Sequence, residues 1–135
     1  MRQRNASEVV QSADNIFVHP GVPNNIAVAA TYKADMLLNI GNAISNMVPS
    51  KIFDYFATGK AIVNVQKIEN APDVEYFEKY PIQITLPEYS GEVQAEKLYQ
   101  FIKENKGRHL DYSQVKDLYY TATPEYVASL IENAL

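Results

Sequence analysis

Residues 46–65 read NMVPSKIFDYFATGKAIVNV, and the punctuation of this stretch decides the fold class. Pro49 cannot extend a helix backwards and biases Val48 to an extended conformation. Ser50 is placed to cap the helix that follows, and Gly59 is the left-handed residue expected just past its end. Between them Ile52, Phe53, Phe56 and Ala57 recur at helical spacing, which gives one apolar, inward face. Ala61-Ile62-Val63-Asn64-Val65 is then a short β-prone run of the kind found in a parallel sheet covered on both faces. A helix start with free amides, a serine and a lysine is a ready anion site. Ser50 and Lys51 also fit a plain structural role. Asp54 then pairs with Lys51 three residues earlier, for ~0.2–0.5 kcal/mol.

Upstream, Met36-Leu37-Leu38-Asn39-Ile40 predicts a second strand of parallel type, running into a polar loop from Gly41 to Asn46. A helix from Asn24 or Asn25 to Lys33 precedes it, with Ile26, Ala29, Ala30 and Tyr32 supplying packing. Before that, Ile16-Phe17-Val18 predicts a short buried strand stopped by Pro20, and residues 19–23 a turn. Such a strand end belongs at the carboxyl edge of a parallel sheet, where ligands of open α/β folds bind. Residues 5–13 read as a polar helix or its tail.

Downstream, Pro72 is expected at the first position of a helix over Asp73–Glu78, with acidic residues in its first turn. Residues 81–86 alternate with period two and predict a final edge strand. Ser90 is expected to cap a helix over Glu92–Asn105 with Val93, Leu98, Phe101 and Ile102 inward, ended by Gly107. Two more helices follow, one from Ser113 or Gln114 and one with Thr123 as cap and Pro124 as first residue. The ten tyrosines lack the spacing of a base-stacking platform, and most are expected at the edge of the core with hydroxyls in water. The fold class expected is α/β: one Rossmann-like layered domain with a mostly parallel sheet flanked by helices.

The string Pro49, Ser50, Lys51, Phe53, Asp54, Tyr55, Gly59, Lys60, Ile62 and Val63 resembles the donor-binding segment of GT-B glycosyltransferases, the group that includes the large retaining family four. The phrase TYKADMLLNIGNA over residues 31–43 resembles the segment that precedes it in the family. The resemblance covers about residues 14–134 and implies the later part of a C-terminal donor-binding domain. It implies that Ser50 and Lys51 bind a diphosphate, Asp54 the ribose, and His19 and Gly21 lie beside the base. His19 is otherwise a loop histidine that caps a carbonyl. Asn46, Gly41 and Asn42 would face the donor sugar. Many members carry two glutamates where this chain has Asn46 and Asp54, so the charge near the transferred sugar is lost at Asn46. Asp73-Val74-Glu75 is similar to the paired acids of metal-dependent GT-A enzymes, but its place in a first helical turn reads as dipole compensation, and no metal is assigned.

Composition narrows the alternatives. The 135 residues suit one ordinary domain, nearly half of them apolar, able to bury ~70% of the unfolded surface. A net charge of −4 argues against non-specific nucleic-acid binding. With no cysteine, disulfides, thiolate catalysis and cysteine metal sites are excluded. No run reaches the ~18 to 20 apolar residues of a membrane span, and the basic N-terminus lacks the apolar core of a signal peptide. A cytoplasmic chain is expected, at the inner membrane surface if regions outside it attach there. No G-x-G-x-x-G follows a strand, which argues against a dehydrogenase-type domain, and no aspartate ends a strand as a phosphorylation receiver requires.

The resemblance implies transfer of a sugar from a nucleoside diphosphate sugar to an acceptor hydroxyl, with no cofactor beyond that substrate. It also implies that the acceptor-binding domain and the first β-α units of the donor domain come from a longer protein or a partner chain. The competing expectation is a non-catalytic α/β module that binds a partner chain or itself through an exposed sheet edge.

Overall fold

The computed structural model describes residues 10–134, and the chain divides into two compact units, residues 1–33 and 34–135. In the first unit β1 (Val10–Ala13) pairs antiparallel with β2 (Ile16–Val18), with a bulge between Gln11 and Ala13. The expected helix over residues 5–13 is corrected for its last part, since residues 10–13 form a strand; residues 5–9 lie outside the described residues. The strand Ile16–Val18 exists, but in an antiparallel ribbon and with all three residues exposed. It is therefore neither buried nor part of a parallel sheet. The turn after it forms, with Gly21 at φ +63.

Helix α1 (Asn24–Lys33) has the expected extent but buries none of its residues. The inward packing expected of Ile26, Ala29, Ala30 and Tyr32 is not made. Its apolar residues run Ile26-Ala27-Val28-Ala29-Ala30 without a gap, so they encircle the helix instead of forming one stripe.

The second unit is built on a three-stranded sheet in the order β3-β4-β5, all parallel: β3 (Met36–Ile40), β4 (Ala61–Gln66) and β5 (Gln83–Pro87). The register runs Leu37↔Ile62, Asn39↔Asn64, Ile40↔Val65 and Asn64↔Thr85. Parallel neighbours need crossovers, and these are α2 (Lys51–Ala57) and α3 (Val74–Lys79). Two right-handed crossovers running the same way across a sheet put both helices on one face. Ile52 and Phe56 of α2 and Phe77 of α3 are almost fully buried with Leu37 and Ile62 of that face.

Phe56 is the hub of an aromatic cluster. It stacks on Tyr119 at 4.6 Å with the planes 6° apart, and meets Phe77 at 5.1 Å and Tyr80 at 5.0 Å. Tyr80 and Tyr119 are exceptions to the expectation that most tyrosine hydroxyls reach water. Both are buried. The Tyr80 hydroxyl donates to the Lys60 carbonyl at 2.8 Å, and the Tyr119 hydroxyl to the Tyr76 carbonyl at 2.6 Å. Burial holds both phenols above the usual range, so they act as donors and not as acids.

Gly59 ends α2 as expected, at φ +71, where its N–H donates to the Phe56 carbonyl. Its own carbonyl accepts the Leu110 N–H at 2.8 Å, and the next residue, Lys60, bridges His109. The loop after α4 (Ala95–Asn105) is thereby tied to the start of β4.

Several boundaries differ from the expectation. Asp73 precedes α3 instead of opening it. Ser90 does not cap the long helix: residues 88–90 form a single 3-10 turn closed by Gly91 at φ +68, and α4 begins at Ala95. The Ser90 hydroxyl is occupied by the Pro87 carbonyl. Val93 thus falls in the linker, 94% exposed, and Ile102 is exposed as well. Helix α5 (Tyr112–Leu118) starts one residue early because Asp111 precedes it in extended conformation, with the Gln114 side chain accepting the Asp111 N–H. Helix α6 (Pro124–Ala134) begins as expected, with the Thr123 hydroxyl accepting the Tyr126 N–H.

Candidate functional site

The β3–α2 loop leaves the sheet at its carboxyl edge. Gly41 is its anchor, and its N–H donates to the Val65 carbonyl at 2.9 Å. A Cβ on Gly41 would stand 3.0 Å from that oxygen, so the close approach favours glycine. Asn42 turns the chain, its side-chain oxygen accepting the Ile44 N–H at 3.0 Å. Asn46 is exposed.

Ser50, Lys51 and Asp54 sit together around the first turn of α2, all three exposed. Ser50 adopts helical backbone and its hydroxyl makes no capping bond, which corrects the N-cap expectation. A capping serine needs extended geometry for its oxygen to reach back to the helix. Helical backbone at Ser50 instead puts it and Asp54, four apart, on one side of the helix. Lys51 lies 5.6 Å over the Tyr55 ring. The pairing of Lys51 with Asp54 is not formed; the ion pairs among the described residues are Lys67–Glu88, Lys106–Asp35 and Lys116–Glu125.

His19 and Gly21 belong to the first unit, where they follow a strand of the antiparallel ribbon. The premise that put them at the carboxyl edge of the parallel sheet therefore does not hold. Among the described residues no group of three or more His, Cys, Asp or Glu could hold a metal ion, and no helix is long and apolar enough to cross a membrane.

A cavity of about 110 Å³ opens on the other side of α2, lined chiefly by Phe53, Phe56, Val115, Tyr119 and Pro124. None of Ser50, Lys51 and Asp54 lines it. Its walls are chiefly apolar, with Lys116 and the exposed Tyr112 and Pro124 at its mouth, so it is a shallow surface gap between α2, α5 and the start of α6.

Two polar features escaped the sequence. Asn39, Asn64, Thr85 and Gln83 form a side-chain ladder across all three strands: Asn39 Nδ2 donates to Asn64 Oδ1 at 2.8 Å, Asn64 Nδ2 to Thr85 Oγ1 at 3.3 Å, and Thr85 Oγ1 to Gln83 Oε1 at 3.0 Å. The signal for it is that Asn39 and Asn64 each stand fourth in their strands after three apolar residues, and the strands become partners once the register is known. The second is Asp73, buried at the start of α3. Burial raises its carboxyl above the ordinary carboxylate range, partly opposed by its own backbone N–H.

The sign of that shift gives a pH prediction. A raised folded-state pKa means the native chain binds more protons than the unfolded one just above the ordinary carboxylate range, so stability falls as pH rises through that window. Asp73→Asn keeps an acceptor for the N–H and removes the charge. It is expected to raise the urea midpoint at neutral pH, with a gain that shrinks as pH drops below the ordinary carboxylate range. A gain that is constant with pH would contradict this.

No protein-family model, no curated protein and no solved structure matches this chain.

Proposed function

We propose that this chain is the donor-nucleotide-binding part of a glycosyltransferase that moves a sugar from a nucleoside diphosphate sugar to an acceptor hydroxyl, with an acceptor-binding domain supplied in cis or by a partner chain. The observation that carries the reading is the uncommitted chemistry at the start of α2. The Ser50 hydroxyl caps nothing and Asp54 is in no ion pair among the described residues. These groups follow a loop that leaves the carboxyl edge of a parallel sheet, the edge at which open α/β folds bind ligands. Further support comes from the resemblance of residues 49–63 to a GT-B donor segment, on which the fold is a partial Rossmann-like domain.

In this reading the Ser50 hydroxyl and the Lys51 ammonium hold the diphosphate, and Asp54 accepts the ribose hydroxyls. Asn46, Gly41 and Asn42 face the sugar. Each charge-assisted bond contributes ~1.5–3 kcal/mol, so Lys51→Ala is expected to weaken nucleoside diphosphate binding about 10- to 100-fold by calorimetry. The nucleoside without phosphates should bind both proteins alike. Equal diphosphate affinity in the variant and the wild type would remove Lys51 from the site. Asn46 offers a hydroxyl a hydrogen bond but no carboxylate, which places the burden of any charge stabilisation outside this segment.

A second reading is a non-catalytic interaction module, and the edge of β3 favours it. Among the described residues β3 has a partner on one side only, and Leu38 and Ile40 are 55% and 63% exposed. Unpaired edges with apolar side chains pair with other chains. On this reading the wild type sediments as a dimer or larger and Ile40→Lys as a monomer; a wild type that sediments as a monomer at ~100 μM, well above a micromolar dissociation constant, counts against self-association.

A further inference from the structure

We propose that the Asn39–Asn64–Thr85–Gln83 ladder is a positioning device for the β3–α2 loop. Asn64 is its centre, 1% exposed, and both ends of its amide are used: the oxygen takes Asn39 and the nitrogen reaches Thr85. Alternation puts Asn39 and Asn64 on the same face as Leu37 and Ile62, the face that carries the core. An apolar pair at these positions would fill a core equally well, because a buried polar network adds little net stability over well-packed apolar groups. What the amides add is direction. Both cross-strand links donate the same way, from β3 to β4 and from β4 to β5, and such bonds fix one lateral alignment of the strands.

That alignment matters most one step further on. The Asn39–Asn64 bond lies directly before the Ile40↔Val65 pair, and the next contact is Gly41 N–H to the Val65 carbonyl, where the loop begins. Gly41 has no slack there, since even a Cβ would press on that oxygen. A strand end free to shift would therefore carry the loop with it. The part of the inference that concerns ligand rests on the nucleotide-binding reading; the part that concerns the loop does not.

The test compares the full chain with Asn64→Leu, and with the near-isosteric Thr85→Val should the first fail to fold. Amide hydrogen exchange is followed at Gly41 and at Ile62, whose N–H is held by the Ile82 carbonyl at the opposite end of β4. We expect exchange at Gly41 to quicken at least 10-fold while Ile62 is unchanged, and uridine, guanosine, adenosine or cytidine diphosphate, whichever the wild type binds, to bind about 10-fold more weakly. Unchanged exchange at Gly41, or equal acceleration at both sites, would overturn the positioning role. A wild type that binds none of the four nucleotides would defeat the nucleotide-binding reading alone, and the exchange comparison would still decide the ladder.

Discussion

Gly59→Ala is expected to be among the most destabilising single substitutions in this chain. Two separate costs combine at this position. The backbone sits at φ +71, which costs an L-residue about 1–2 kcal/mol. The added methyl would also stand 2.1 Å from the Leu110 carbonyl oxygen, and relieving an overpacked contact typically costs a further ~1–3 kcal/mol. The Leu110 carbonyl cannot simply move away, because the Leu110 N–H is bound to the Gly59 carbonyl. A total loss of about 2–5 kcal/mol follows, a large share of the ~5–15 kcal/mol that holds an ordinary domain folded. Urea unfolding followed by circular dichroism measures it, and a loss below about 1 kcal/mol would mean that the α2–β4 junction is not the rigid corner described above.

Phe56→Ala is expected to cost about 3–5 kcal/mol, the usual range for emptying a buried aromatic site. Phe56 is 1% exposed and in ring contact with Phe53, Phe77, Tyr80 and Tyr119. These rings come from α2 and α3 and from the residues just after α3 and just after α5, so collapse into the gap would require several elements to move together. Phe56→Leu leaves a smaller cavity and should cost less than half as much. Equal losses for the two variants would indicate that ring stacking, and not filled volume, sets the stability of this core.

The part of the fold that could be read from sequence is the part whose signals are local. Pro49, the 52-53-56-57 spacing and Gly59 fix the ends and inner face of α2 within a few residues of one another, and Thr123-Pro124 fixes the start of α6. The first unit was misread because its signals are not local. Residues 10–13 become a strand only through pairing with β2, and Ile16–Val18 looks like any apolar strand until its antiparallel partner is known. Ser90 illustrates a competing choice: its hydroxyl satisfied the Pro87 carbonyl in a tight turn, and Gly91 then allowed the chain to reverse before α4.

The candidate site divides in the same way. Ser50, Lys51 and Asp54 were found because their spacing along one helix turn is set by sequence alone. The Asn39–Asn64–Thr85 ladder was not, because a polar residue in a strand ordinarily points to solvent, and only the register of three separate strands brings these together. His19 and Gly21 were assigned from a strand whose sheet turned out to be a different one.

We propose that the exposed groups at the start of α2 bind the diphosphate of a nucleotide. The most direct test is a titration of the unmodified chain with uridine, guanosine, adenosine and cytidine diphosphates, without metal, followed by amide chemical shifts. Saturable binding of one of the four is expected, with the largest shifts at Ser50, Lys51 and Asp54 and in the loop from Gly41. Absence of saturable shifts for all four in the folded chain, or shifts confined to residues distant from α2, would contradict it.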